Sequence, residues 1–120
     1  MKFCILLGAV SLAGYASAFW GQMAASDYEN DNGQTTIHQI ITLTDYNTGS
    51  IYTGLLPGGF NGCVASHCAV TFGEAYGNGF YKFKASMWKT NDGCHNIDFQ
   101  GALDAGHGYC CGSLPCDLSA

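Results

Sequence analysis

The residues of this 120-residue chain best suited to chemistry are seven cysteines and four histidines. Cys4 stands apart near the start. The other six, Cys63, Cys68, Cys94, Cys110, Cys111 and Cys116, all follow residue 62. Two chemistries compete for them. Thiolates beside imidazoles bind zinc, and His67 next to Cys68 and His95 next to Cys94 would supply the imidazoles. Zinc sites favour short Cys-x2-Cys pairs, which this spacing lacks, and thiols exported through an oxidising pathway pair with one another. An even set of cysteines in a short chain therefore predicts disulfides, with no metal and no cofactor. Six cysteines allow fifteen connectivities, and spacing does not choose among them. Cys110 and Cys111 are adjacent, and a vicinal bridge is strained, so each is expected to pair elsewhere.

Proton-transfer chemistry needs paired groups. A small secreted ribonuclease would use two histidines, or a histidine with a glutamate, plus a cation for the phosphate. His38, His67, His95, His107 and Glu74 are the raw material. His38 reads as an exposed strand residue, His67 and His95 as turn positions beside cysteines, and His107, within Gly-His-Gly, as part of a tight loop. Asp98 and Asp104 could form a glycosidase pair, but a weak strand and a loop carry them. No Gly-x-Ser-x-Gly elbow is present. Asp27, Glu29 and Asp31 alternate as calcium ligands can, without the closing glutamate of a full loop. The reading is no enzyme and no catalytic residue.

Elements must position whatever remains. Met1-Lys2-Phe3, an apolar run from Cys4 to Tyr15 and Ala16-Ser17-Ala18 have the order of a cleavable signal, and the run is too short to span a bilayer. Residues 1–18 are thus expected to be a signal peptide and the protein to be secreted and extracellular. Removing them leaves nine carboxylates against Lys82, Lys84 and Lys89, with no arginine, a net charge of −6. That balance disfavours nucleic acid and anionic membranes as partners. Residues 19–34 are polar after Phe19-Trp20 and end in Asp31-Asn32-Gly33, the pattern of a loose arm. Residues 35–120 form one disulfide-rich domain.

Within that domain, Thr35–Thr44 is dense in β-branched residues and pairs with Ser50–Leu56 across Asp45–Gly49 as a hairpin. Cys63–Cys68 reads as a helical turn or tight loop. Cys68–Phe72 and Phe80–Trp88 alternate, with Asn78-Gly79 as a hairpin signal between them. In the latter, Tyr81, Phe83, Ala85 and Met87 face one way and Lys82, Lys84 and Ser86 the other. His95–Leu103 alternates weakly, and Asp104–Ala120 reads as an irregular, cross-linked tail. Four or five short strands with Gly-rich turns predict a mainly β fold, a small antiparallel sandwich or barrel stapled by disulfides. The alternative is an α+β sheet carrying one short helix.

The leader MKFCILLGAVSLAGYASA, the six later cysteines and the small size resemble, in general type, the small secreted cysteine-rich proteins of filamentous fungi. That resemblance implies an effector or toxin that recognises a host, and it carries no site residue with it. The expected function is non-enzymatic binding of a protein in the host or extracellular space. The candidate surface comprises Trp88, Lys82, Lys84 and Tyr81. A polysaccharide is the alternative partner, with Trp88 beside Lys89-Thr90-Asn91-Asp92 as the sugar platform. A small hydrolase such as a ribonuclease is the second alternative.

Overall fold

A computed structural model describes residues 18–30, 37–77 and 81–120. The expected signal segment up to residue 17, the Asp31-Asn32-Gly33 turn and the Asn78-Gly79 turn lie outside the described residues.

Nine antiparallel strands follow one another: β1 Trp20–Ala25, β2 Glu29–Asn30, β3 Ile37–Asp45, β4 Ile51–Pro57, β5 Cys68–Tyr76, β6 Lys82–Lys89, β7 Cys94–Asp98, β8 His107–Cys111 and β9 Cys116–Ser119. From β3 to β8 each strand pairs with its successor, and β9 crosses to pair with β1, which pairs with β3. The spatial order β8-β7-β6-β5-β4-β3-β1-β9 leaves β8 and β9 as the two edges. They meet, so the sheet is a nearly closed barrel. The mainly β, disulfide-stapled architecture expected from the alternation is what forms. Among the described residues there is no α-helix; Phe60–Gly62 and Ala102–Asp104 are single 3-10 turns.

Alternation places one side chain in two inside the barrel. Met23, Ile41, Leu43, Leu56, Val70, Phe72, Met87 and Ile97 are fully buried there, joined by Phe19 and Phe99. Phe19 and Phe99 pack ring to ring at 5.0 Å. Burying each such side chain is worth roughly 1.5–3 kcal/mol.

The chain ends depart from the sequence expectation. Residues 19–34 are not a loose arm where described: β1 sits between β3 and β9, with Met23 opposite Leu43 and Cys116. Gly21 permits this, because a Cβ there would lie 1.9 Å from the Thr44 carbonyl oxygen. The tail is not irregular either, since β8 and β9 are the strands that close the barrel. Both ends look weak in isolation. β8 is His-Gly-Tyr-Cys-Cys and β9 is Cys-Asp-Leu-Ser, so neighbouring strands rather than propensity hold them extended.

The seam itself rests on a glycine. An added Cβ on Gly108 of β8 would lie 2.5 Å from the Ser119 carbonyl oxygen and 2.9 Å from Leu118 of β9. The bridge Cys110–Cys116 crosses the same seam.

All six late cysteines are paired: Cys63–Cys68, Cys94–Cys111 and Cys110–Cys116. Cys110 and Cys111 do pair apart, and Cys94 faces Cys111 in the β7–β8 register. All three bridges lie toward one end of the barrel. There β3, β5, β7 and β9 begin and β4, β6 and β8 end, and the long loop after Pro57 is tied down. That end is called the stapled mouth below. The opposite mouth has no bridge among the described residues.

Candidate functional site

The first candidate is a band of rings on the outside of the barrel. On β6, Trp88 shares the outward face with Lys82 and Lys84. His67, just before β5, stacks on Trp88 at 3.6 Å between ring centroids and 4° between planes. From the β8 side, His107 stacks on Trp88 at 5.3 Å and 16°. The two imidazoles thus cover the indole from its two flanks. His107 Nε2 donates to Asn96 Oδ1 at 2.9 Å, while Asn96 Nδ2 donates to the Cys94 carbonyl at 3.3 Å. Tyr109 follows at 6.0 Å from His107.

Across the seam, Trp20 packs edge-on against Tyr46 at 5.6 Å. The Tyr46 hydroxyl donates to Asp117 Oδ1 at 2.8 Å. This bond, with a smaller contribution from the Asp117 charge, raises the Tyr46 pKa above 10.0. Between the two groups lies a cleft of about 350 Å³ walled by His107 and Tyr109 on one side and Trp20, Asp117 and Ser119 on the other. Trp20 is 44% exposed and Tyr109 58%. Strands carry the cleft residues Trp20, His107, Tyr109, Asp117 and Ser119; Tyr46 stands in the turn after β3.

The second candidate is a cavity of about 550 Å³ at the stapled mouth. His95 of β7 and Lys89 of β6 both line it, together with Tyr28, Phe60 and Leu114. His95 is 8% exposed, and its Nδ1 has no hydrogen-bond partner. Burial lowers its pKa from the ordinary 6.5, and the positive charge of Lys89 lowers it further, against an opposing hydrogen bond with the Cys110 backbone. The imidazole is therefore neutral at neutral pH. The Phe60 ring meets it edge-on at 4.7 Å.

The opposite mouth holds a third cavity, of about 380 Å³, with Asp45, Tyr52, Glu74, Tyr81 and Asp104 on its wall. Burial raises the Tyr52 pKa above 10.0, and the nearby Glu74 and Asp45 charges add to it against a hydrogen bond with Ser50.

The four-residue surface expected from sequence does not assemble as one patch. Trp88, Lys82 and Lys84 share the outer face of β6, but Tyr81 has the inward parity and packs edge-on against Tyr52 at 6.4 Å, at the opposite mouth. The Trp88 sugar platform changes too. Its faces are taken by His67 and His107, Lys89 lies at the mouth cavity, and Asp92 accepts bonds from the Thr90 hydroxyl and the Cys94 amide within its own turn. Those two bonds lower the Asp92 pKa.

The histidines are not where their neighbours suggested. His38 is buried rather than exposed, with its Nε2 3.3 Å from Glu29 Oε1. His95 and His107 lie in strands rather than in a turn and a loop. His67 and His107 are held apart by the indole between them. Glu74 lines the mouth opposite His95. Asp98 accepts from the Gln100 amide at 3.0 Å, and Asp104 lines the other mouth. Glu29, one of the three alternating acids, is engaged with His38, and Asp31 lies outside the described residues.

Sequence reasoning missed the cleft residues Trp20, Tyr109 and Asp117 as a group. It also missed Lys89 with His95. Parity within β6 and β7 carried a signal for the second pair, since Lys89 continues the inward row Phe83, Ala85, Met87. Nothing local marked the first group, which joins Trp20 of β1 to Tyr109 and Asp117 of the far C-terminal strands.

Comparison with protein-family models, with curated proteins and with solved structures finds no match to this chain.

Proposed function

We propose that this chain is a secreted, non-enzymatic binding protein of effector or toxin type, which engages a protein partner in a host or extracellular space through the outer ring band. One observation carries the reading: Trp20 on β1 and Tyr109 on β8, each at least 44% exposed, line a single cleft, and Tyr46, 45% exposed, packs against Trp20 beside it. Large rings with few rotatable bonds lose little entropy on contact, which is why Trp and Tyr dominate binding hot spots. Three disulfides suit an oxidising, extracellular setting. The net charge, −5 for the full chain and −6 once residues 1–18 are removed, favours a basic or neutral partner over nucleic acid or an anionic membrane.

The test compares the wild-type protein with a Trp20→Ala/Tyr109→Ala variant. Both are infiltrated into plant tissue and immobilised against extracellular fluid from the responding host. A specific partner should be retained by the wild type and held at least about thirty-fold more weakly by the variant, the loss expected for a hot spot of about 2 kcal/mol or more. Equal retention by both proteins would place the binding face elsewhere.

The cleft also favours a second reading, a polysaccharide. Trp20 and Tyr109 are the most exposed rings on its walls, and Asp117, Ser119 and His107 offer polar partners for hydroxyl groups. A pull-down on insoluble chitin, cellulose and β-glucan decides it. No retention on any of the three sinks that reading.

A further inference from the structure

We propose that the cavity at the stapled mouth is a binding site for a small organic carboxylate with a flat, apolar body. This site is separate from the outer ring band and stands or falls independently of it.

The charge argument comes first. Lys89 is the only lysine on the cavity wall, and among the described residues it forms no ion pair. His95 stands close enough to feel that charge and is held neutral, so it does not add a second one. Asp27 also lines the cavity but is exposed, at the solvent side. An unpaired ammonium on the wall of a concave site is an anchor for one anionic group. A phosphate carries more charge and three acceptor oxygens and would call for several donors, whereas this wall holds one lysine and the chain has no arginine. A single carboxylate matches a single lysine.

The second argument is an unfilled polar position. His95 is more than nine-tenths buried, yet Nδ1 has no partner. Buried polar atoms are nearly always satisfied, so an orphan in a cavity wall needs a reason. Lys89 and His95 face each other across β6 and β7 and line the same cavity, so a polar ligand group seated against Lys89 lies beside the ring that lacks a partner.

The third argument is shape and rigidity. Tyr28, Phe60 and Leu114 provide the apolar wall, and a cavity of about 550 Å³ is within the range of small-molecule sites, which often occupy barrel mouths. The wall is tied together. Gln39 donates through Nε2 to the Ser26 carbonyl at 2.8 Å and accepts the Phe60 amide through Oε1 at 2.9 Å. The Tyr28 hydroxyl accepts the Asn61 amide at 3.0 Å. All three disulfides hold this end. A preformed cavity avoids the ordering cost that weakens binding.

The experiment titrates the folded protein, disulfides intact, with benzoate and cinnamate and separately with the neutral isosteres benzamide and cinnamamide, following backbone amide resonances. The carboxylates should shift resonances of residues 26–28, 60–61, 93–95 and 112–114. They should bind at least about tenfold more tightly than the amides, the lower bound for a charge-assisted bond. Lys89→Met should abolish that preference while leaving the weak amide binding unchanged. Lys89→Gln repeats the test if the first variant loses its native spectrum. Equal binding of acid and amide, shifts confined to the outer cleft, or no saturable binding of either acid by the wild type would each overturn the proposal. Loss of a partner at the outer band would not bear on it.

Discussion

Gly108→Ala tests whether β8 and β9 close the barrel. The methyl group would enter a space where the Ser119 carbonyl oxygen lies 2.5 Å away, the Ala120 Cβ 2.8 Å and Leu118 Cδ1 2.9 Å. Two of those three atoms belong to backbone-tethered groups that cannot swing aside as a long side chain would. β9 must therefore move, and its other edge is laddered to β1 through Trp20–Ser119 to Met23–Cys116. Overpacking of this kind costs about 1–3 kcal/mol. Each kcal/mol lowers the melting temperature of a domain of this size by about 4–8 °C. A loss of about 8–16 °C is expected for a central cost of about 2 kcal/mol. Gly106→Ala is the matched control, because nothing lies within 4 Å of its added Cβ. Thermal unfolding followed by circular dichroism, on oxidised protein, reads both. A Gly108→Ala melting point within a degree or two of the Gly106→Ala value would refute the close seam and imply an open sheet edge.

Three further outcomes follow from the same structure. Replacing both Cys94 and Cys111 by alanine frees a loop of sequence separation 17, against 5 for Cys63 and Cys68. Chain entropy makes the losses about 3 and about 2 kcal/mol, and denaturant midpoints should preserve that order. The depressed pKa of His95 means the folded protein binds protons less readily than the unfolded chain, so stability is full above about pH 6.5 and is lost as pH falls below it. Denaturant midpoints measured from pH 8 to pH 5 should fall less steeply for His95→Gln than for the wild type, and parallel profiles would contradict the burial argument. His67→Ala should cost roughly 1 kcal/mol by uncovering one flank of Trp88 and should shift the tryptophan emission to longer wavelength, as a more hydrated indole requires.

The central strands were legible because their signal is local. Thr35–Thr44 and Ser50–Leu56 carry β-branched alternation across a turn, and among the described residues they form β3 from Ile37 and β4 from Ile51, paired antiparallel. The inward row Phe83, Ala85, Met87 was readable from period-two alternation alone. Gln39, the polar residue beside the apolar positions of β3, lines the mouth, where both ends of its amide are used. The N-terminal and C-terminal strands were not legible. Met23 is the one large fully buried side chain within β1, and β8 and β9 hold three cysteines and only one large aliphatic residue, Leu118, in nine positions, so no periodic apolar pattern distinguishes them from loop.

By itself the sequence determined that six cysteines would pair and that the domain would be small and mainly β. These follow from composition and from the two-residue period of a strand, which need no knowledge of neighbours. Only the tertiary structure decided which cysteine meets which, because pairing depends on the β7–β8 register and on the meeting of β8 with β9. Only it set Trp20, Tyr109 and Asp117 around one cleft, and covered Trp88 with two imidazoles. The closure of the barrel did the same for Lys89 and His95, which are neighbours across β6 and β7 at one mouth. Alternation says which face a residue takes; the curvature of the sheet says what stands opposite it.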